Sequence, residues 1–379
     1  MSSVRPLAGL VVIEIGHSIA APYAGMILGE LGAEVIKVEN PKTGDACRGW
    51  GPPFADGAAT CFHAVNRGKK GITVDLADED EATQLKSLII QQADVVIHNL
   101  KFGALDKYGL GAEALVAAKP SLVFCNLGAF GTRGPLCDRP GYDPMMQAYS
   151  GLMSLLGEDG RPPVRVSASI VDMGSAMWAV IGILSALRER DRTGKGGIVD
   201  ASLYETGLTW MNIYLADYLA SGELPSRHGS GVAMIVPYQA FAAADGYMMV
   251  AAGNDNLFRR LAAAVGQPTL AEDPRFRTNG DRVVNRATLV PILSDIFAKE
   301  TRQHWATVLE QAGIPNGPIN TLDQVVTDPQ TRALEMIQQW PETGLSLVGL
   351  PLSFDGQRPP FAKRAPALGE DNHAVLGQD

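Results

Sequence analysis

Asp172 is the only charged residue between Val166 and Leu187, and it stands where an apolar run meets an apolar helix. A carboxylate placed there has lost water and charged partners. Burial raises its pKa, while a helix N-terminus lowers it again. Such a group is a candidate nucleophile or acid/base. Asp at the head of a helix is, however, most often an N-cap that accepts from free backbone N–H groups, and spacing alone favours that role. Other chemistry is poorly represented. No G-x-S-x-G elbow is present, and Gly229-Ser230-Gly231 is too short to be one. The four cysteines form no C-x-x-C pair and the six histidines no metal-ligand spacing, so no metal site is expected. Gly253-Asn254-Asp255-Asn256 reads as a turn and helix cap rather than a phosphate loop. Lys42, Lys69 and Lys70 read as solvated loop charges, and Arg188, Arg190 and Arg192 as partners for the C-terminal end of the Asp172 helix.

The elements that must position Asp172 follow from periodicity. Leu10 to Ile15 reads as a strand, Gly16-His17-Ser18 as a turn, Ala20 to Leu31 as a helix with Pro22 in its first turn, and Glu34 to Glu39 as a second strand. Strand, helix and strand in so short a span imply a right-handed parallel crossover. Further strands are expected at Gly71–Asp75, Val95–Ile97, Leu122–Cys125 and Ile198–Ser202, with a helix at Glu79–Ala93. Arg161 to Val171 reads as a turn followed by an extended, apolar strand, and Met173 to Ile183 as a buried helix. The fold class is therefore α/β. A Rossmann-like open parallel sheet occupies residues 1–222, a smaller α+β domain 223–317, and a return segment 318–379 completes the large domain. In the small domain a hairpin over Ala240–Val250 turns at Asp245-Gly246, and helices start near Leu257, Thr288 and His304. The first crossover lacks the glycine fingerprint of dinucleotide binding, which argues against NAD.

A net charge of −9 argues against a nucleic-acid surface, which needs basic residues to displace phosphate counterions. Met1 to Pro6 has one basic residue and no apolar run, so no secretory signal is expected. The apolar stretch from Met173 to Leu187 falls short of the roughly 20 residues that cross a bilayer, so no membrane role is expected. Unpaired cysteines fit a cytoplasmic location.

An ordered set of motifs covers nearly the whole chain. It runs from Leu31-Gly32-Ala33-Glu34-Val35-Ile36-Lys37-Val38-Glu39, Gly44-Asp45 and Arg48-Gly49 through Asn66-Arg67-Gly68-Lys69-Lys70, Asp94 to Asn99 and Gly103 to Gly109. It continues with Pro140-Gly141-Tyr142-Asp143, the Asp172 segment, Pro237 to Phe241, Asp273 to Phe276, Gly313 to Pro318 and Arg364 to Glu370. In this set the chain resembles the family III CoA-transferases of the CaiB/BaiF type, in particular their dicarboxylate-using branch.

The resemblance implies that Asp172 is a nucleophile, that CoA is a substrate and product rather than a bound cofactor, and that two chains interlock as a homodimer. It implies CoA contacts at Ile19, Ala20, Val74, Asn99, Leu100 and Lys107, the last toward a phosphate. Ile19 stands where oxalate-using members carry a glutamine, and Asn40 where they carry an arginine. Gly229 and Gly231 match a glycine-containing loop over the active site. The partners implied are an acyl-CoA, with succinyl-CoA as donor, and a free acid resembling glutarate, itaconate or malate. Arg48, Arg165 and Arg227 are the candidates for its distal carboxylate, since a guanidinium grips a carboxylate bidentately. The competing activity on this fold is α-methylacyl-CoA racemisation, which needs a second acid/base group from a Gly-His-Asp motif. The chain has Gly141-Tyr142-Asp143 instead, and a phenol, with an ordinary pKa of about 10, is a poor substitute. A non-catalytic acyl-CoA binder would have no use for a desolvated carboxylate.

Overall fold

Six short runs, three of them rich in Val and Ile, form one parallel sheet in the computed structural model, which describes residues 5–340, 343–361 and 363–377. The strands are β1 (Val11–Ile15), β2 (Glu34–Glu39), β3 (Lys70–Thr73), β4 (Val95–His98), β5 (Val123–Gly128) and β6 (Gly197–Ser202). Their order across the sheet is β3-β2-β1-β4-β5-β6, all parallel. This is the doubly wound order, whose direction of winding reverses between β1 and β4. Loops leaving neighbouring strands diverge there and open a crevice, so ligands bind at that point.

Buried faces on both sides of the sheet explain the unbroken apolar strands. On one side α1 (Ala20–Glu30) and α6 (Ile170–Thr193) pack with Val12, Val95, Val123 and Cys125. On the other, α3 (Glu79–Gln92) and α4 (Ala112–Ala118) cover Ile13, Ile36, Val96 and Phe124. Further helices around this sheet include α2 (Thr60–Asn66), α5 (Asp143–Tyr149) and α7 (Leu203–Trp210). At the free edge of β3, Asp371 accepts from Gly71 N–H at 2.7 Å and Asn372 from Thr73 N–H at 2.9 Å. Side chains from the C-terminal segment thus take the place of a seventh strand.

Two expectations for the Asp172 region change. Val164 to Ser169 forms no strand. The Gln147 side chain takes up its backbone instead: Oε1 accepts from Val166 N–H at 2.9 Å and Nε2 donates to Val166 O at 3.1 Å. The helix is also longer than the apolar run, at 24 residues. Its length and composition meet the requirement for crossing a bilayer, which the shorter estimate missed, while its inner face packs on the sheet. After β6 the chain forms two helices, Leu203–Trp210 and Asn212–Ser221, divided at Met211.

Contacts divide the chain into a unit of residues 1–152, 166–212 and 328–379 and a second of 153–165 and 213–327. In the second unit β7 (Tyr238–Ala243), β8 (Gly246–Ala251) and β9 (Asn316–Pro318) form an antiparallel sheet, with the hairpin turning at Ala244-Asp245. Helices Asp255–Ala264, Arg286–Phe297 and Arg302–Gln311 pack on it around Phe241, Phe258, Phe297 and Trp305.

A buried charge cluster pins the switch-point loop of the first unit. Glu14, Lys37 and Lys69 side chains are fully buried, as is the Asp45 carboxylate. Lys37 Nζ donates to Asp45 Oδ2 and Gly16 O at 2.9 Å and to Glu14 Oε1 at 3.2 Å. Lys69 Nζ donates to Pro22 O and Asn66 Oδ1 at 2.8 Å and forms an ion pair with Glu14 Oε2 at 2.6 Å. Two ammonium groups against two carboxylates leave the cluster neutral, the condition under which buried charge is tolerated.

Candidate active site

Asp172 is the third residue of α6 and not its cap. The capping carboxylate comes from Asp143, 29 residues earlier, which accepts from Val171 N–H at 2.7 Å and Asp172 N–H at 3.1 Å. Asp143 is buried and also accepts from Gln147 Nε2 at 2.6 Å. With the helix end already satisfied, the Asp172 side chain makes no hydrogen bond or ion pair to any described residue. Burial, and then the nearby Asp143 charge, push its pKa up to about 7. Asp172 is therefore divided between acid and carboxylate at neutral pH, with no described residue holding either form.

The cavity in front of it is built at the switch point. The loop after β1 and the loop after β4 are joined by Asn99, whose Oδ1 accepts from His17 N–H at 3.0 Å and whose Nδ2 donates to His17 O at 2.8 Å. Ser18 has a φ of +66°, which a serine adopts only when held. Asp45 Oδ1 holds it, accepting Ser18 N–H at 2.9 Å. Burial alone would raise the Asp45 pKa, but Lys37 and the N–H groups of Ser18 and Cys47 keep it below the usual range. Burial lowers the pKa of His17, so its imidazole is neutral at physiological pH.

Ile19, Ala20, Asn99 and Leu100 line this cavity of about 180 Å³ together with Asp172. Trp50, Arg139 and Tyr142 line it as well. His17, Ser18, Trp50, Leu100 and Tyr142 are shared with an outer cavity of about 640 Å³, which Val74 and Tyr108 also line. The Lys107 ammonium sits 4.6 Å from the Tyr108 ring centroid, outside the lining of either cavity. A third cavity, of about 410 Å³ beside His98, Asn126 and Asp200, lacks Asp172.

The expected arginines fare differently. Arg48 lines neither cavity near Asp172. Its Nε and Nη2 donate to the two Glu39 oxygens at 2.8 and 2.6 Å, and its guanidinium lies 3.9 Å from the Phe62 ring centroid. Glu39 thus fills the fork that a substrate carboxylate would need. In the second unit Arg227 donates to Ser154 O at 3.1 Å and Arg161 O at 2.7 Å, and Arg165 is exposed. There too, Gly229 takes a φ of +60° and donates to Gly157 O, Gly231 donates to His228 O, and Ser230 Oγ accepts from Ala240 N–H.

Asp143, Trp50 and Arg139 were not anticipated. Asp143-Pro144 before an apolar run marks a helix start, but the helix it caps lies far along the chain, beyond any spacing rule.

The sequence model of CoA-transferase family III matches residues 7–372. Succinyl-CoA:glutarate CoA-transferase from Mus musculus is 37% identical over 377 residues, covering 99% of this chain and 86% of that protein. Succinate–glutarate CoA-transferase from Agrobacterium fabrum is 36% identical, over 98% of this chain and 95% of its own length. The crystal structure of a CAIB/BAIF family protein from Brucella suis superposes with a TM-score of 0.87 at 40% identity, covering 99% of both chains.

Proposed function

The chain belongs to CoA-transferase family III, and from that premise we propose that it moves CoA from succinyl-CoA to a dicarboxylic acid through covalent states of Asp172. The observation that carries this reading is the unpartnered Asp172 carboxylate facing a switch-point cavity, its capping role filled by Asp143. A carboxylate without partners keeps its lone pairs for a substrate carbonyl.

The steps balance without redox change or net proton transfer. Ionised Asp172 attacks the thioester carbonyl of the donor, the C–S bond breaks, and an aspartyl anhydride and CoA thiolate form. The thiolate attacks the aspartyl carbonyl and expels the donor acid, leaving an aspartyl-CoA thioester. An acceptor carboxylate attacks that thioester and releases thiolate again. The thiolate then takes the acceptor acyl group from the second anhydride and restores the Asp172 carboxylate. Each anhydride is vulnerable to water, so a small recess around Asp172 suits the chemistry.

In this reading the outer cavity, with Val74 and Leu100, takes part of the CoA moiety, and the inner one, with Ile19, Ala20 and Asn99, the reacting acyl group. The outer volume of about 640 Å³ lies within the roughly 300 to 1,000 Å³ of small-molecule sites, and the inner one, about 180 Å³, has room for a small acyl group only. Lys107, beside Tyr108, is proposed to meet a CoA phosphate. We also propose a homodimer. It is supported by an apolar stripe on α6, where Ile170, Met173, Met177 and Ile181 recur at helical spacing yet stay exposed.

The test incubates the protein with succinyl-CoA and free acids and follows acyl-CoA products by mass. The native chain should form glutaryl-CoA, and hydroxylamine added during turnover should convert Asp172 to a hydroxamate. Asp172→Ala should lose at least about 10³-fold in kcat. An Asp172→Ala protein that transfers CoA at the native rate sinks the proposal.

A further inference from the structure

A dicarboxylic acid reacting at Asp172 brings a second negative charge into a recess that already contains one. Two cationic side chains line that recess, Lys101 and Arg139. The Lys101 ammonium is 3.7 Å from the Asp138 carboxylate. The Arg139 guanidinium has no ion pair or hydrogen bond to any described residue. Its backbone is nevertheless fixed. Arg139 N–H donates to Leu136 O at 2.9 Å. Two residues on, a side chain at Gly141 would begin only 2.7 Å from Met146 Cε and 3.0 Å from Ala129 Cβ, so the segment is pressed against α5 and the end of β5. The same segment runs through Tyr142 into Asp143, whose carboxylate holds the backbone of Asp172. Cation and nucleophile are therefore set by one short, continuous stretch of chain. Apolar groups such as Ile19, Phe102 and Leu203 line the same recess and suit a methylene chain between two carboxylates.

We propose that Arg139 is the specificity-determining residue that grips the distal carboxylate of the dicarboxylic acid while the other carboxylate reacts at Asp172. The assignment rests on the dicarboxylate reading above and gives to Arg139 the role first expected of Arg48, whose fork Glu39 occupies. A guanidinium presents two parallel N–H groups that match a carboxylate edge, which a lysine cannot reproduce.

The test is a competition in one tube. Native protein, Arg139→Met, Arg139→Lys and Lys101→Met each receive succinyl-CoA and an equimolar mixture of glutarate and valerate. The ratio of glutaryl-CoA to valeryl-CoA is read by mass. Both acids compete for the same enzyme, so the ratio is blind to partial misfolding and to weaker donor binding. In Arg139→Met the ratio should fall by about 30-fold or more, the loss of one bidentate charge pair. Arg139→Lys should lie between Met and native. A ratio within twofold of native in Arg139→Met overturns the assignment, and so does an equal or larger fall in Lys101→Met. A native protein that makes valeryl-CoA but no glutaryl-CoA fails the dicarboxylate reading itself, and the role of Arg139 falls with it.

Discussion

Carboxylates are buried in two opposite ways within one unit of this protein. Glu14 and Asp45 lie under the switch point, each against a lysine ammonium, with Gly16 O and Ser18 N–H drawn into the same cluster. Asp172, at the head of α6, has a capping neighbour of its own sign and no cation paired with it among the described residues. The consequences run in opposite directions. Burial pulls the Lys37 ammonium down, yet Glu14, Asp45 and Glu39 together raise its pKa above the usual value. Lys69, also fully buried, is lowered to about 8, chiefly by burial. Asp172 is raised to about 7. The paired cluster is a fixed strut, because each charge lies against an opposite one. The lone carboxylate is left labile, and lability is what a nucleophile needs. Buried charge is therefore no sign of function by itself; a missing partner is.

The contrast can be broken most severely at the cluster. Lys37→Met leaves Glu14 and Asp45 short of a cation in a dry interior and should lower stability by about 3–5 kcal/mol. Urea midpoints at constant m measure this, and a loss below about 1 kcal/mol would show that the pairing contributes little. At Asp172 removal of charge should act in the other direction. Its folded pKa lies above its ordinary value, so the folded chain holds the extra proton and native stability falls as pH rises from about 4 to about 7. Asp172→Asn escapes that fall. It should match the native protein near pH 4 and exceed it by about 1–3 kcal/mol at pH 8. Equal stabilities at pH 8 would mean that the carboxylate is not strained. The smallest effect should come from Asp143→Asn, which removes the like charge beside Asp172. The acidic limb of kcat/KM, expected near pH 7, should move down by about half a unit or more. A limb that stays put would leave burial as the sole cause of the shift.

Much of the sheet was legible because it depends on local pattern. Val11-Val12-Ile13 and Val95-Val96-Ile97 are apolar on both faces, and only a strand covered by helices on each side tolerates that. The extended reading of Val164 to Ser169 failed because the Gln147 amide, not a strand, meets its backbone. The arginines were not legible for a related reason. Arg48 and Arg139 are the same residue type, and sequence cannot say that Glu39 fills one fork while the other, with no partner among the described residues, lines a cavity that Asp172 also lines.

From its order of residues alone, the chain settled that a parallel α/β sheet forms and that Asp172 opens an apolar helix. Both follow from short-range spacing and from the need to bury Val, Ile and Leu. That Asp172 is a free carboxylate and not a cap was decided only when folding carried Asp143 across from another helix to satisfy the N–H groups of Val171 and Asp172. A backbone N–H donates to whichever oxygen arrives within about 3 Å, and that choice belongs to tertiary packing.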